Sequence, residues 1–217
     1  MRNSFIPPIP ELELAANHLD LAANAILALD YHAARLHISQ ADYPEICAFT
    51  SKITGRIDPA IHWQHSMPSF STKSSEREKL RMPSAAEERV IFARDGWRCR
   101  YCGCRVISKK ARSIIIKLFP DTVRWGVGNA KQHCGLTTLA ASLDHILPHC
   151  RGGNNEPTNL VTACTPCQFG RAHWTLEEVG FSDPRDRSPV IDGWDGLVRL
   201  LGKKFSEQSL IAIGLSD

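Results

Sequence analysis

The chain has 217 residues, of which 43% are hydrophobic and 23% charged, a globular composition with room for one good core, or one core and an appended module. No run approaches the ~20 consecutive apolar residues of a membrane span, so no membrane partner is expected. The net charge of +3 conceals an uneven distribution: residues 76–125 carry thirteen Lys/Arg against six Asp/Glu, whereas the two ends of the chain are net acidic. Such a basic block points to a polyanionic partner or to a solvated cationic face.

The opening MRNSFIPPIPELEL places prolines and acids where a signal peptide would need its apolar centre, which predicts a cytoplasmic, unexported chain. The stretch ELELAANHLDLAANAILALDYHAARL predicts one helix from Glu11 to Leu36, with Leu12, Ala16, Leu19, Ala23, Ile26 and Ala33 forming an apolar stripe. Pro10 suits its first turn, and Glu11 and Glu13 complement its dipole. This helix would brace its own domain or offer a surface for self-association or a protein partner. IHWQHSMPSFSTKSS (61–75) reads as a linker, and its His62 and His65 are assigned no role.

Ser84 followed by Glu87 is a capping box, opening a helix with Val90, Ile91 and Phe92 as its apolar face and Gly96 at its end. WRCRYCGCRVI then reads as a tight knuckle and a short strand. KKARSIIIKLF predicts a helix stopped by Pro120, and CGLTTLAASL resumes as helix or strand. SLDHIL and LVTAC predict two strands around the loop PHCRGGNNEPTN, PCQFGRAHW starts a helix, and GLVRLLGKKF offers a short amphipathic helix in the tail. The expected organisation is a helical region with linker (1–75), a central domain (76–180) and a C-terminal tail with a short helix (181–217).

Four of the eight cysteines form two C-x-x-C pairs, Cys99/Cys102 and Cys164/Cys167. A tetrahedral metal needs two such knuckles, and in an unexported chain the pattern favours a metal over disulfides. Redox dithiols and buried free thiols are the other readings. Neither pair is followed by histidine, which argues against covalent haem. Cys47, Cys104, Cys134 and Cys150 lack paired spacing, and small apolar roles are expected for Cys104 and Cys150. If a metal joins the pairs, the intervening segment 142–163 becomes a hairpin held at its base, followed by a helix: strand, strand, helix around Asp144 and His145.

WRCRYCG, LDHILPHCRGG, the Asn159-Leu160 pair and the two C-x-x-C motifs, in this order, resemble the HNH endonucleases, whose shared core is the ββα-metal finger. The resemblance covers roughly Glu87 to Trp174. It implies an α+β fold: a ββα-metal core stapled by a four-cysteine zinc site (Cys99, Cys102, Cys164, Cys167), with an N-terminal helical region. The implied activity is metal-dependent hydrolysis of phosphodiester bonds in DNA. By the same resemblance His145 is the general base that activates water, and Asp144 a ligand of a catalytic Mg²⁺ or Mn²⁺. Asn159 holds the loop and orients the His145 ring. Gly152 and Gly153 permit the tight loop.

The family places asparagine or histidine directly after the second C-x-x-C to complete the cation site, and this chain has Gln168 there. Its amide oxygen, on a stem longer by one methylene, is expected to ligate the catalytic cation beside Asp144, directly or through a water. The departure leaves room for a rival reading, a zinc-stapled nucleic-acid-binding protein with a degenerate nuclease site. His173 is expected to turn ~140° away from Gln168 if the helix continues. Arg94, Arg98, Arg100, Arg105, Lys109, Lys110 and Arg112 are expected to track a phosphate backbone, joined by Arg151 from the loop. Trp97 and Tyr101, interleaved with them, are expected to pack against the knuckle rather than stack on bases.

Overall fold

A computed structural model describes residues 1–55, 72–77, 79 and 82–203 of the chain. His62, His65 and most of the expected linker lie outside the described residues. The architecture is α+β: eight α-helices and one two-stranded antiparallel sheet among the described residues.

The predicted Glu11–Leu36 helix is two helices, α1 (Pro10–Leu27) and α2 (Tyr31–Gln40), followed by α3 (Pro44–Thr54). The break falls at Leu29, whose φ of 62° leaves the helical region, and Asp30 restarts the chain by accepting a hydrogen bond from Ala33 N. The apolar stripe of α1 is buried as expected, widened by Ala15 and Ala22. Beyond the break the register changes: Ala34 is buried, while Ala33 is only half-buried. Alanine-rich faces let α1 and α2 pack as a close antiparallel hairpin. The α1 helix is thus an internal brace.

Helix α4 (Ala85–Arg94) carries the Ser84/Glu87 capping box, Ser84 N donating to Glu87 Oε2 at 2.8 Å. Ile91 and Phe92 are buried, but Val90 is 69% exposed, since it lies on the far side of the helix. The chain leaves α4 through Gly96 (φ 65°) into the cysteine knuckle, where Arg98 and Arg105 form an isolated antiparallel bridge rather than a strand. Next come α5 (Lys109–Leu118), the short α6 (Cys134–Thr138), and strands β1 (Ala141–His145) and β2 (Leu160–Cys164). The strands pair in register from Ala141↔Cys164 to His145↔Leu160, and α7 (Thr165–Arg171) starts directly from β2. A one-turn α8 (Leu176–Val179) follows. The expected amphipathic helix of the tail is, among the described residues, only a 3₁₀ turn at Val198–Leu200.

One hydrophobic core runs from Phe5 to Leu200, across the boundaries expected near residues 75 and 180. Helix α3 packs on both α6 and α7, and the tail wraps the knuckle, with Trp194 Nε1 donating to Val106 O at 2.8 Å. Cys47 on α3 and Cys134 at the start of α6 form a disulfide, which the unpaired spacing of these cysteines did not suggest. No helix of the described residues is long and apolar enough to cross a membrane.

Candidate functional site

The two knuckles meet. The Sγ atoms of Cys99, Cys102, Cys164 and Cys167 lie within 4.8 Å of one another and form the one group of three or more His, Cys, Asp or Glu among the described residues that could hold a metal ion. The first knuckle is shaped by its backbone: Cys99 N donates to Cys104 O, and Gly103 N to Cys99 O, both at 2.9 Å. The second is the junction of β2 and α7, where Pro166 occupies the first helical turn. Arg100 N donates to Thr162 O at 2.8 Å and ties the first knuckle to β2. Cys104 is buried close by, its Sγ 3.5 Å from that of Cys102. The sequence offered only the C-x-C spacing for this fifth thiol.

Beside this cluster, β1, the following loop and α7 enclose a cleft of about 430 Å³ lined by Asp144, His145, His149, Gln168 and His173, with Arg77 also in the lining. His145 is buried, and its Nε2 lies 3.0 Å from Asn155 Oδ1. A carboxamide oxygen only accepts, so Nε2 carries the proton and donates, leaving Nδ1 with its lone pair. Burial holds the His145 pKa below its ordinary value, so the ring is neutral at pH 7. His173 is shifted the same way, by burial and then by Arg151.

Asn159 does not touch the His145 ring. Its side chain accepts from Leu147 N at 2.8 Å and donates to Leu147 O and Asn154 O, closing the loop across its base. The expected role therefore divides: Asn159 holds the loop and Asn155 holds the ring. Gly152 adopts a φ of 90°, and a Cβ on Gly153 would lie 1.8 Å from Leu147 O, so both glycines are required by the loop.

Asp144 differs most from expectation. Rather than an open carboxylate, it is 5% exposed and gripped by Arg171, with Nε to Oδ2 and Nη2 to Oδ1 both at 2.6 Å. Tyr101 Oη donates to Oδ2 at 2.8 Å. Burial pushes the Tyr101 phenol well above its usual range, so it stays a donor. Arg171 is fully buried, and two of its three remaining hydrogens go to the carbonyls of Trp174 and His145. Sequence reasoning missed Arg171; its place four residues after Cys167, one turn on along α7, was the available signal.

Gln168 lines the cleft. His173 lines it too, because α7 ends at Arg171 and Ala172 (φ 50°) turns the chain back, so the helical angle expected between them does not apply. Trp97 and Tyr101 are buried, as expected of packing residues.

The predicted phosphate-tracking cations divide as well. Arg94 donates to the carbonyls of Pro157 and Leu160, and Arg98 pairs with Asp192 at 2.5 Å. Arg100 donates to Pro184 O and Arg187 O. Arg105 pairs with Glu13 and covers Trp194. Arg112 stacks on Trp125, and Arg151 pairs with Glu178 at 2.6 Å. These six arginines hold the fold together, and only Lys109 and Lys110 of the predicted set keep exposed side chains with no such partner among the described residues.

No family model, curated protein or solved structure matches this chain.

Proposed function

We propose that the chain is an endonuclease of the HNH type, hydrolysing phosphodiester bonds in DNA with His145 as general base. The contact that most supports this reading is His145 Nε2 against Asn155 Oδ1 in the cleft. It fixes the tautomer, so Nδ1 can take a proton from an attacking water, while burial keeps the ring in its basic form near neutral pH. Arg77 in the same lining brings positive charge toward a bound phosphate.

We infer that the four-cysteine group holds zinc. Four sulfurs each 2.3 Å from a common centre lie about 3.8 Å apart, and Cys102 Sγ and Cys164 Sγ are 3.7 Å apart. The site is all-sulfur and three of its four residues are buried, the character of a closed, structural centre.

A second metal, the Mg²⁺ or Mn²⁺ that the family carries on Asp144 and the residue after the second knuckle, does not fit the residues as arranged. Both Asp144 oxygens are committed to Arg171 and Tyr101, and a cation would have to displace a buried guanidinium. The same ion pair favours a second reading, a zinc-stapled nucleic-acid-binding protein with a degenerate nuclease site.

A plasmid assay separates the two readings. Purified protein is incubated with supercoiled DNA in Mg²⁺, in Mn²⁺ and in EDTA, beside His145→Ala. Nicked or linear product from the wild type that falls about 10²–10⁴-fold in the variant supports the hydrolase. Intact plasmid in all three conditions rules it out in favour of the binding module.

A further inference from the structure

We propose that the nucleic-acid-binding face of this protein is the cleft between α4 and α5, and that it grips the phosphodiester backbone with Arg89, Lys109, Lys110 and Lys117. The inference deepens the reading of the chain as a nucleic-acid protein and does not depend on hydrolysis.

The cleft has a volume of about 780 Å³, and its lining holds these four cations and no acid. All four side chains are exposed, and none makes an ion pair or side-chain hydrogen bond with the described residues. This separates them from Arg94, Arg98, Arg100, Arg105, Arg112 and Arg151, which the fold uses internally. A cation already paired gains little from a phosphate, because it must first give up its partner; an exposed, unpaired one releases counterions and contributes in full.

The geometry of α5 explains why the charge is concentrated there. At 100° per residue, Lys109, Lys110, Ser113 and Lys117 fall within about a 100° arc. Ala111, Ile115 and Leu118 fall on the opposite arc and are buried. Burying the apolar arc therefore forces the basic arc outward. Lys109 and Lys117 are about 12 Å apart along the helix axis, the rise of three to four phosphates of one strand at about 3.4 Å each. Arg89 adds charge from the α4 wall, and Ile114 and Leu201 provide an apolar floor. An extended polyanion suits such a line of cations better than a compact anion does.

The test uses the full chain, a fluorescein-labelled 20-base-pair DNA duplex and anisotropy titrations across a KCl series. The variant is Arg89→Gln/Lys109→Gln/Lys110→Gln/Lys117→Gln, whose fold is checked by circular dichroism and melting temperature. Each lost phosphate contact should reduce the slope of log K against log[KCl] by about 0.9, so the variant should lose two to four units of slope and at least tenfold in affinity at low salt. A variant that binds with wild-type affinity and slope overturns the proposal, as does a wild type that fails to bind the duplex. Arg98→Gln/Arg105→Gln should leave the slope within one unit of wild type; a larger loss there places the face elsewhere. Hydrolysis of bis(p-nitrophenyl) phosphate, a single phosphodiester too short to need a line of cations, is followed in parallel. Binding lost with hydrolysis intact supports both assignments. Binding without any hydrolysis leaves this face standing while the nuclease reading falls.

Discussion

His145 sits where a strand ends, buried enough to lose part of its hydration yet open to a cleft. Its pKa lies below the usual 6.5, burial outweighing the favourable contact with Asn155. As the proposed general base, His145 must be deprotonated to act, so activity should rise as pH climbs through that lowered value and level off above it. In Asn155→Ala the ring loses its anchor, and kcat should fall while the fold survives. A pH–rate profile of wild type and variant on plasmid DNA measures both, and an ascending limb centred above pH 7 would exclude His145 as the base. Directly beside it, Asp144 of β1 and Arg171 of α7 form a charge pair with almost no solvent. Removing one partner of such a pair strands the other, so Arg171→Ala should cost about 3–5 kcal/mol of unfolding free energy, read by urea titration. Arg171→Lys should recover only part, since an ammonium cannot span both carboxylate oxygens.

At the scale of elements, the hairpin β1–β2 and helix α7 form a small unit with little apolar area of its own. Two five-residue strands are marginal without support, and here the support comes from the cysteine group at their base and from α4 laid against β2. Asp95 contributes by accepting from Thr162 N at 2.7 Å. With zinc in this group, as proposed, Cys164→Ser should release the ion and unfold the hairpin together, as should a strong chelator. Metal analysis with circular dichroism tests this, and a folded, metal-free variant would show that the cysteines are not the staple. The helices were legible where a cap announced them, as at Ser84 and Pro10. The break near Leu29 was hidden because an alanine stripe continues in sequence across it, and only the packing of α1 on α2 makes the turn worthwhile.

For the whole molecule, residues 1–55 are part of the core rather than an appendage. The Cys47–Cys134 disulfide joins α3 to α6 across 87 residues of sequence. A cross-link closing so long a loop restricts the unfolded chain, so Cys47→Ser should lower stability by about 2–4 kcal/mol and bring down the melting temperature. An unchanged melting temperature would mean that the bond does not form in solution. Near it His133 is completely buried, with one ring nitrogen on Ile38 O at 2.8 Å and the other accepting from Leu136 N. Burial lowers its pKa, so between that value and 6.5 the unfolded chain holds a proton that the folded chain rejects. Stability is then complete above pH 6.5 and is lost as pH falls below it. Denaturation curves at pH 5 to 7.5 should show this slope, and His133→Gln should flatten it.

The chain's own order of residues determined the hairpin, the two cysteine knuckles, the capped helices and the histidine at the strand end, because each follows from local spacing and backbone chemistry. Only the tertiary structure decided which partners those groups take. The carboxylate of Asp144 faces an arginine 27 residues away, and the ring of His145 takes Asn155 in place of Asn159. Six of eight predicted phosphate-binding cations are drawn into ion pairs, carbonyl contacts and ring stacking within the fold. Charge in a sequence counts cations, but burial and pairing determine which of them still face solvent. That distinction rests on long-range contacts that no local pattern encodes.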